Sequence, residues 1–229
     1  IAPCGKHENI CGGICPPDNG RGMRLKKLLR LYERIRPQIE ERLAEFRAIG
    51  EQKKPDELFA ELAFCLLTPQ SNAHQCWTAL ECLRERHLLF NGEASEIAPH
   101  LAGRARFHRT KSRNICAARA NLSALIERLS APPNELRRWL VENIRGIGWK
   151  EASHFLRNIG LGGDLAILDR HILRQLAAFG VIPAVPRSMS ASQYLQIEER
   201  MREWAACVNI PIAHLDLLFW YQTKGELFK

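Results

Sequence analysis

The residues best suited to chemistry lie in one stretch, LRRWLVENIRGIGWKEASHFLRNIG, from Leu136 to Gly160. Gly146, Ile147 and Gly148 separate two helix-like runs, and Lys150 follows two positions later. Two glycines around one apolar residue suit a tight turn between helices, because no side chain blocks close approach. Such a turn presents bare amides beside a helix N-terminus, a favourable place for a phosphate, and Ile147 is expected to point inward. Lys150 has two readings there: a nucleophilic amine, or the solvated helix residue that lysine usually is. Asp169 follows in DLAILDRHI. Its carboxylate suits either stabilisation of a developing positive charge or a helix N-cap, and one residue can do both.

These residues need elements to hold them, and the apolar spacing supplies helices. Leu25, Leu28, Tyr32, Ile35, Ile39, Leu43 and Phe46 recur every three or four positions, with Pro37 expected to kink or split the run. Asp56 is a candidate cap for a helix carrying Leu58, Phe59, Leu62, Cys65 and Leu66 that Pro69 closes, and Ser71 for the next one, to about Arg86. Shorter helices are predicted over 93–101, 109–129 and 134–144. A further helix runs from Asp169 to Phe179, with Gly180 as its C-terminal glycine, and two more cover 190–207 and 211–223. No alternating strand pattern stands out, so the predicted fold class is all-α.

Lysine and arginine exceed aspartate and glutamate by eight. That surplus favours a polyanionic partner, since phosphate contacts release counterions whatever the sequence. Two basic runs stand out: Arg21, Arg24, Lys26, Lys27, Arg30, Arg34 and Arg36, then Arg104, Arg106, Arg109, Lys111, Arg113 and Arg119. Each is equally readable as the wet face of a helix. No apolar run is long enough for a bilayer and no signal peptide is evident, so an intracellular, nucleoid location in a prokaryote is expected.

Of the eight cysteines, Cys65, Cys76, Cys82, Cys116 and Cys207 sit singly in apolar helical patterns and read as reduced core residues. Residues 1–22 form a Cys-, Gly- and Pro-rich extension in which Cys4, His7, Cys11 and Cys15 are a candidate zinc set; a disulfide or free thiols account for the same residues.

The segment around Gly146–Lys150 resembles the helix-hairpin-helix of DNA repair glycosylases. Lys150 with Asp169 looks like their lyase-active branch. From about Leu25 to Lys229 the chain is most similar to the short 8-oxoguanine DNA glycosylases of archaea and some bacteria, through LLRLYERIRPQIEERL, LLTPQ, RFHRTKSRNI and LDLLFWYQTKGELFK. The resemblance implies a two-lobed helical fold with a DNA-binding cleft between the lobes. One lobe is expected from 23–70 plus 164–229, the other from 71–163 with the hairpin at 136–160. The implied partner is double-stranded DNA containing 8-oxoguanine, bound by a monomer.

On that resemblance, the damaged nucleotide is swung out of the duplex. Lys150 then attacks C1′ and expels the base, and elimination from the resulting Schiff base breaks the strand. The resemblance also implies a purine between aromatic rings, with Phe107 and Trp220 at the matching positions, and base-edge contacts from the main-chain carboxylate of Lys229. Gln70, Ser71 and Asn72 are candidates for a wedge that fills the emptied space, although Asn72 is equally a capping residue. The chemistry calls for no cofactor. A monovalent cation on the hairpin carbonyls is implied by the resemblance. The iron–sulfur cluster of a related branch is excluded, because Cys207 alone lies in the region where that branch carries four cysteines. Two other functions fit the hairpin: a non-catalytic DNA-binding module, or a glycosylase for another damaged base.

Overall fold

The computed structural model describes residues 20–229, and the candidate zinc set Cys4, His7, Cys11 and Cys15 lies outside them. The described residues form twelve α-helices joined by short turns. No helix among them is long and apolar enough to cross a membrane.

The chain divides into two compact units. One comprises residues 20–41 together with Leu168–Phe228. Within it lie the first part of α1 (Arg21–Gln52), α10 (Arg170–Phe179), α11 (Ala191–Val208) and α12 (Ile212–Lys224). Its buried residues include Leu28, Tyr32, Ile35 and Ile39 from α1 and Ile172, Leu176, Met201, Leu215 and Leu218 from the later helices. Phe179, Trp204 and Phe219, one from each later helix, stack with centroids 5.1–6.1 Å apart. Tyr32 Oη and His214 Nδ1 are hydrogen-bonded at 3.0 Å and tie α1 to α12.

The other unit comprises Arg42–Ile167 and Lys229. It contains α2 (Pro55–Leu67), α3 (Ala73–Glu85), α4 (Leu88–Asn91), α5 (Ala94–Leu101), α6 (His108–Arg119), α7 (Leu122–Glu127), α8 (Pro133–Asn143) and α9 (Trp149–Asn158). At its centre, α2 is buried without interruption from Leu58 to Leu67 and packs on α3, α6 and α9. A helix that is apolar all round must be enclosed on every side. For that reason α2 falls in this unit and not with the chain ends, and the division comes at Glu41 instead of near residue 70.

Several local expectations are corrected. Pro37 neither splits α1 nor ends it. It stands on the exposed side of the helix, as does Glu33, whose carbonyl loses its usual donor there, so water can take that carbonyl. Lys54, not Asp56, is the N-cap of α2: Pro55 occupies the first turn, where its missing N–H costs nothing, and Asp56 follows inside the helix. Asn72, not Ser71, caps α3 by accepting from Gln75 N at 3.1 Å. The expected helix over 109–129 breaks at Ala120–Asn121 into α6 and α7. Asp169, Gly180 and Ser190 stand where expected. Asp169 Oδ1 accepts from Ile172 N at 2.7 Å, Gly180 adopts φ 78°, and Ser190 exchanges bonds with Gln193.

Candidate active site

The hairpin joins α8 to α9. Gly146 has φ 91°, a backbone that L side chains rarely adopt. A Cβ there would collide with Asn114 Nδ2 and stand 3.3 Å from Leu66 Cδ2. Ile147 is buried between the helices. Gly148 is different: its backbone is extended, at φ −103° and ψ −175°. The amides are not bare, which corrects the sequence reading. Ile147 N donates to Ile144 O at 3.1 Å, and Gly148 N donates to Glu151 Oε2 at 3.3 Å. Glu151 is three positions into α9, where a side chain can reach back to the cap residue; its spacing from Gly148 was the available signal.

Lys150 lies in the first turn of α9, with its side chain 22% exposed and Nζ 3.8 Å from Glu151 Oε1. Beneath it the helix is closed off: Ala152 through Asn158 are all buried. Cys65 and His154 lie within electrostatic reach of its charge. Burial pushes the Cys65 thiol up, and the nearby Glu61 carboxylate adds to that. Burial, then the charges of Lys150 and Arg157, hold His154 well below the usual histidine range, so it stays a neutral ring. It packs edge-on against Phe64 at 5.7 Å. The amine therefore stands at a solvent-reachable edge above a buried layer that holds the neutral Cys65 thiol and His154 ring.

Lys229 belongs to this same unit. Its ammonium pairs with Glu61, which is 2% exposed, and lies 3.8 Å from the Trp77 ring centroid. Asn158 Nδ2 donates to the other Glu61 oxygen at 2.8 Å. The Lys229 main chain lies beside His154. Neither Glu61 nor Trp77 was picked out from the sequence; a glutamate inside the apolar run of α2 was the clue.

Two turns of this unit carry the remaining candidates. Gln70 is exposed, with φ 55°. Ser71 is turned inward: its Oγ accepts from Arg106 N at 2.9 Å and from Lys111 Nζ at 2.8 Å, which leaves it unsuited to insertion. Phe107 is 53% exposed, has φ 59°, and carries the Arg106 guanidinium 5.0 Å from its ring centroid. A bulky residue in left-handed backbone is uncommon. Gln70, Ser71, Asn72, Arg104, Arg106 and Phe107 line one cavity of about 420 Å³. Of the second basic run, Arg104, Arg106, Arg109 and Arg113 are exposed, but two members are structural. Arg119 Nη2 donates to Leu89 O and Gly92 O at 2.8 and 3.0 Å, and Lys111 is buried.

In the first unit, Asp169 commits Oδ1 to the cap of α10, and the preceding Leu168 N donates to Tyr194 Oη at 3.2 Å. His171 Nε2 donates to Phe219 O at 2.8 Å. That bond fixes α12 beside α10, and with it Trp220, whose ring is half-buried with Lys224 Nζ 6.0 Å from its centroid. Cys65 and Cys76 are buried as expected, but Cys207 is exposed near the end of α11, so it is not a core residue.

A hairpin with a lysine in its second helix, on an all-α chain, is a pattern that can be compared with known proteins. The family model for 8-oxoguanine DNA glycosylase matches residues 39–210. The chain belongs to the 8-oxoguanine DNA glycosylase family. Within the family, it is 40% identical to the 8-oxoguanine DNA glycosylase/AP lyase of Fusobacterium nucleatum subsp. nucleatum over 207 residues, covering 87% of this chain and 95% of that one. Identity to the Methanocaldococcus jannaschii 8-oxoguanine DNA glycosylase/AP lyase is 37%, over 90% of this chain and 100% of that one. The crystal structure of the Thermotoga maritima 8-oxoguanine DNA glycosylase superposes with a TM-score of 0.84 at 36% identity, covering 91% of this chain and 100% of that one. The M. jannaschii glycosylase/lyase in complex with a 15mer DNA containing 8-oxoguanine superposes with a TM-score of 0.81 at 35% identity, covering 90% and 100%.

Proposed function

We propose that this member of the 8-oxoguanine DNA glycosylase family excises 8-oxoguanine from duplex DNA and then cuts the strand, with Lys150 as nucleophile. The observation that carries the reading is the setting of that amine. It is part-exposed on the first turn of the hairpin's second helix, over a floor where burial keeps the Cys65 thiol and the His154 ring neutral.

The chemistry follows from the groups present. The neutral amine of Lys150 forms a bond to C1′ as the C1′–N9 bond breaks, and the base leaves with that electron pair and takes up a proton. Opening of the sugar ring gives an iminium between Lys150 and C1′. Loss of a C2′ proton then expels the 3′ phosphate, and hydrolysis of the imine returns the lysine. The electrons for each step come from the amine and the sugar, so no redox cofactor is called for. As the base departs, positive charge builds on the sugar, and a preorganised carboxylate is the group that stabilises it. Asp169 takes that role: the cap bond to Oδ1 fixes its orientation and leaves Oδ2 without a protein partner among the described residues. The rings of Phe107 and Trp220 serve as stacking faces for the extruded purine. Main-chain atoms of Lys229, held by its side chain on Glu61 and Trp77, read the base edge. Gln70 enters the emptied stack, with Asn72 holding the start of α3 behind it.

All of these groups come from one chain, so a monomer suffices, and the place of work is wherever the chromosome lies. Backbone phosphates are met by the exposed arginines of the 104–113 segment and by the N-terminus of α9, where binding displaces Glu151 from Gly148 N.

Borohydride trapping on a duplex carrying 8-oxoguanine tests the reading. A covalent adduct that maps to Lys150 and vanishes in Lys150→Gln, with duplex binding retained, is expected. An adduct of equal yield in Lys150→Gln, or one mapped to another lysine, refutes the nucleophile. Base release without any adduct refutes the lyase route. A chain that binds DNA but releases no base is a binding module. Parallel duplexes with other damaged bases test the substrate.

A further inference from the structure

Lys111 belongs by sequence to a basic run, yet it is 5% exposed. Its ammonium donates to Leu67 O at 2.7 Å, Pro69 O at 2.7 Å and Ser71 Oγ at 2.8 Å. None of these acceptors is charged. Burying an ammonium against neutral dipoles is unfavourable compared with an apolar side chain of similar shape. Burial accordingly lowers the Lys111 pKa. Part of that cost is offset because Leu67 O is a terminal carbonyl of α2, which a lysine can cap.

The acceptors share a location. All three lie between the last residue of α2 and Ser71, in the segment that contains Gln70. Ser71 is a node in it, because the hydroxyl that accepts from Lys111 also accepts from Arg106 N, at 2.9 Å. Arg106 immediately precedes Phe107. On either side of the node therefore stands a side chain on left-handed backbone, Gln70 at φ 55° and Phe107 at φ 59°. Both line the same cavity of about 420 Å³. Such conformations persist only where the surroundings over-determine them, and the Lys111–Ser71 bonds supply that determination for both turns at once.

We propose that Lys111 is a positioning residue: through Ser71 it ties the Gln70 turn to the Phe107 turn, so that the side chain entering the base stack and the ring facing the extruded base are held in fixed register. This rests on the roles given above to Gln70 and Phe107. The tie matters for steps that open and fill a duplex, and not for imine formation at a sugar already free of its base.

The test compares Lys111→Met, Ser71→Ala and Ser71→Thr under single turnover on two substrates. One is a duplex with 8-oxoguanine, which requires extrusion and filling. The other is a single-stranded oligonucleotide with a ready abasic site, which requires neither and reports imine formation through borohydride trapping. Lys111→Met and Ser71→Ala are expected to lose tenfold or more on the duplex and less than threefold on the abasic strand. Ser71→Thr, which keeps the hydroxyl, is expected to stay within threefold of wild type on both. Ser71→Ala leaves the Lys111 charge in place, so it decides the matter if Lys111→Met fails to fold. Duplex rates within threefold of wild type, parallel losses on both substrates, or a Ser71→Thr as impaired as Ser71→Ala would each overturn the tie. Gln70→Ala and Phe107→Ala are run alongside. If they slow the duplex reaction while Lys111→Met and Ser71→Ala do not, the tie alone is wrong. If they leave it unchanged, the roles of Gln70 and Phe107 are wrong and the tie falls with them.

Discussion

Alanine at Gly146 should damage the hairpin far more than alanine at Gly148. At Gly146 two costs add. The backbone sits at φ 91°, where an L side chain is strained by about 1–2 kcal/mol. The new Cβ also meets Asn114 Nδ2 head-on, with Asn114 Cγ at 3.0 Å and Leu66 Cδ2 at 3.3 Å. Asn114 is 7% exposed and Leu66 1%, so neither can swing into solvent, and overpacking of this kind costs about 1–3 kcal/mol. The sum is about 3 kcal/mol, which for a chain of this length lowers Tm by roughly 6–12 °C. At Gly148 the backbone is extended, and the one close neighbour is Glu151 Oε2 at 3.1 Å, the tip of a flexible side chain. The cost there should stay below about 1 kcal/mol, and the fall in Tm below roughly 4 °C. Thermal melts followed by circular dichroism on both variants measure the difference. Equal losses, or a Gly146→Ala protein melting with wild type, would show that the collision and the backbone strain have been misjudged.

Asp169 has separable jobs. Asparagine is as good an N-cap as aspartate and alanine is not, so Asp169→Asn should keep wild-type stability while losing at least a hundredfold in base release. Asp169→Ala should lose the same activity and about 1 kcal/mol of stability besides; a fully active Asp169→Asn contradicts its electrostatic role. His154 makes stability depend on acid. Its folded pKa is depressed, so at low pH the unfolded chain binds a proton that the folded one does not, and stability falls as pH drops below about 6.5. The expected slope of that contribution is about 1.4 kcal/mol per pH unit. Urea titrations at pH 7.0 and 5.5 should show the loss, and His154→Gln should reduce it; an identical pH dependence in the variant speaks against this assignment. Phe107→Ala should leave Tm unchanged, because the ring is 53% exposed. Affinity for a duplex with 8-oxoguanine should fall by the worth of one stacked base, about 1–3 kcal/mol, measured by fluorescence anisotropy; unchanged affinity would remove Phe107 from the base contacts.

Much of the fold was legible because its signals are local. Asp169, Ser190 and Gly180 mark helix ends through contacts within a few residues, and the hairpin announced itself by Gly146, Ile147, Gly148 and the flanking apolar periods. What failed to show depends on partners distant in sequence. The two hairpin glycines read alike, yet Asn114 and Leu66 make only Gly146 obligatory. Lys111 looked like part of a wet face, although Ile115 and Ala118 recur at helical spacing after it and are fully buried. A charge on that apolar stripe was the missed sign, and its acceptors lie 40 to 44 positions away. Asn72 took the cap expected of Ser71, whose hydroxyl is held instead by Arg106 N, a partner that cannot be foreseen from neighbouring residues. The division of the chain at Glu41 likewise depends on α2 being enclosed all round, which a one-sided periodicity search does not weigh.

Among the described residues, five other than glycine adopt left-handed backbone: Lys53, Gln70, His87, Phe107 and Asn209. For anyone wishing to harden this protein against heat, they do not form a uniform set of repair sites. Exchanging Lys53, His87 or Asn209 for glycine relaxes the chain where no task has been assigned to the side chain. The same exchange at Gln70 or Phe107 relaxes it too, but removes the group that meets the nucleic acid. Selection for thermal resistance alone would therefore tend to erode the repair activity first at these two turns, the usual tension between rigidity and work.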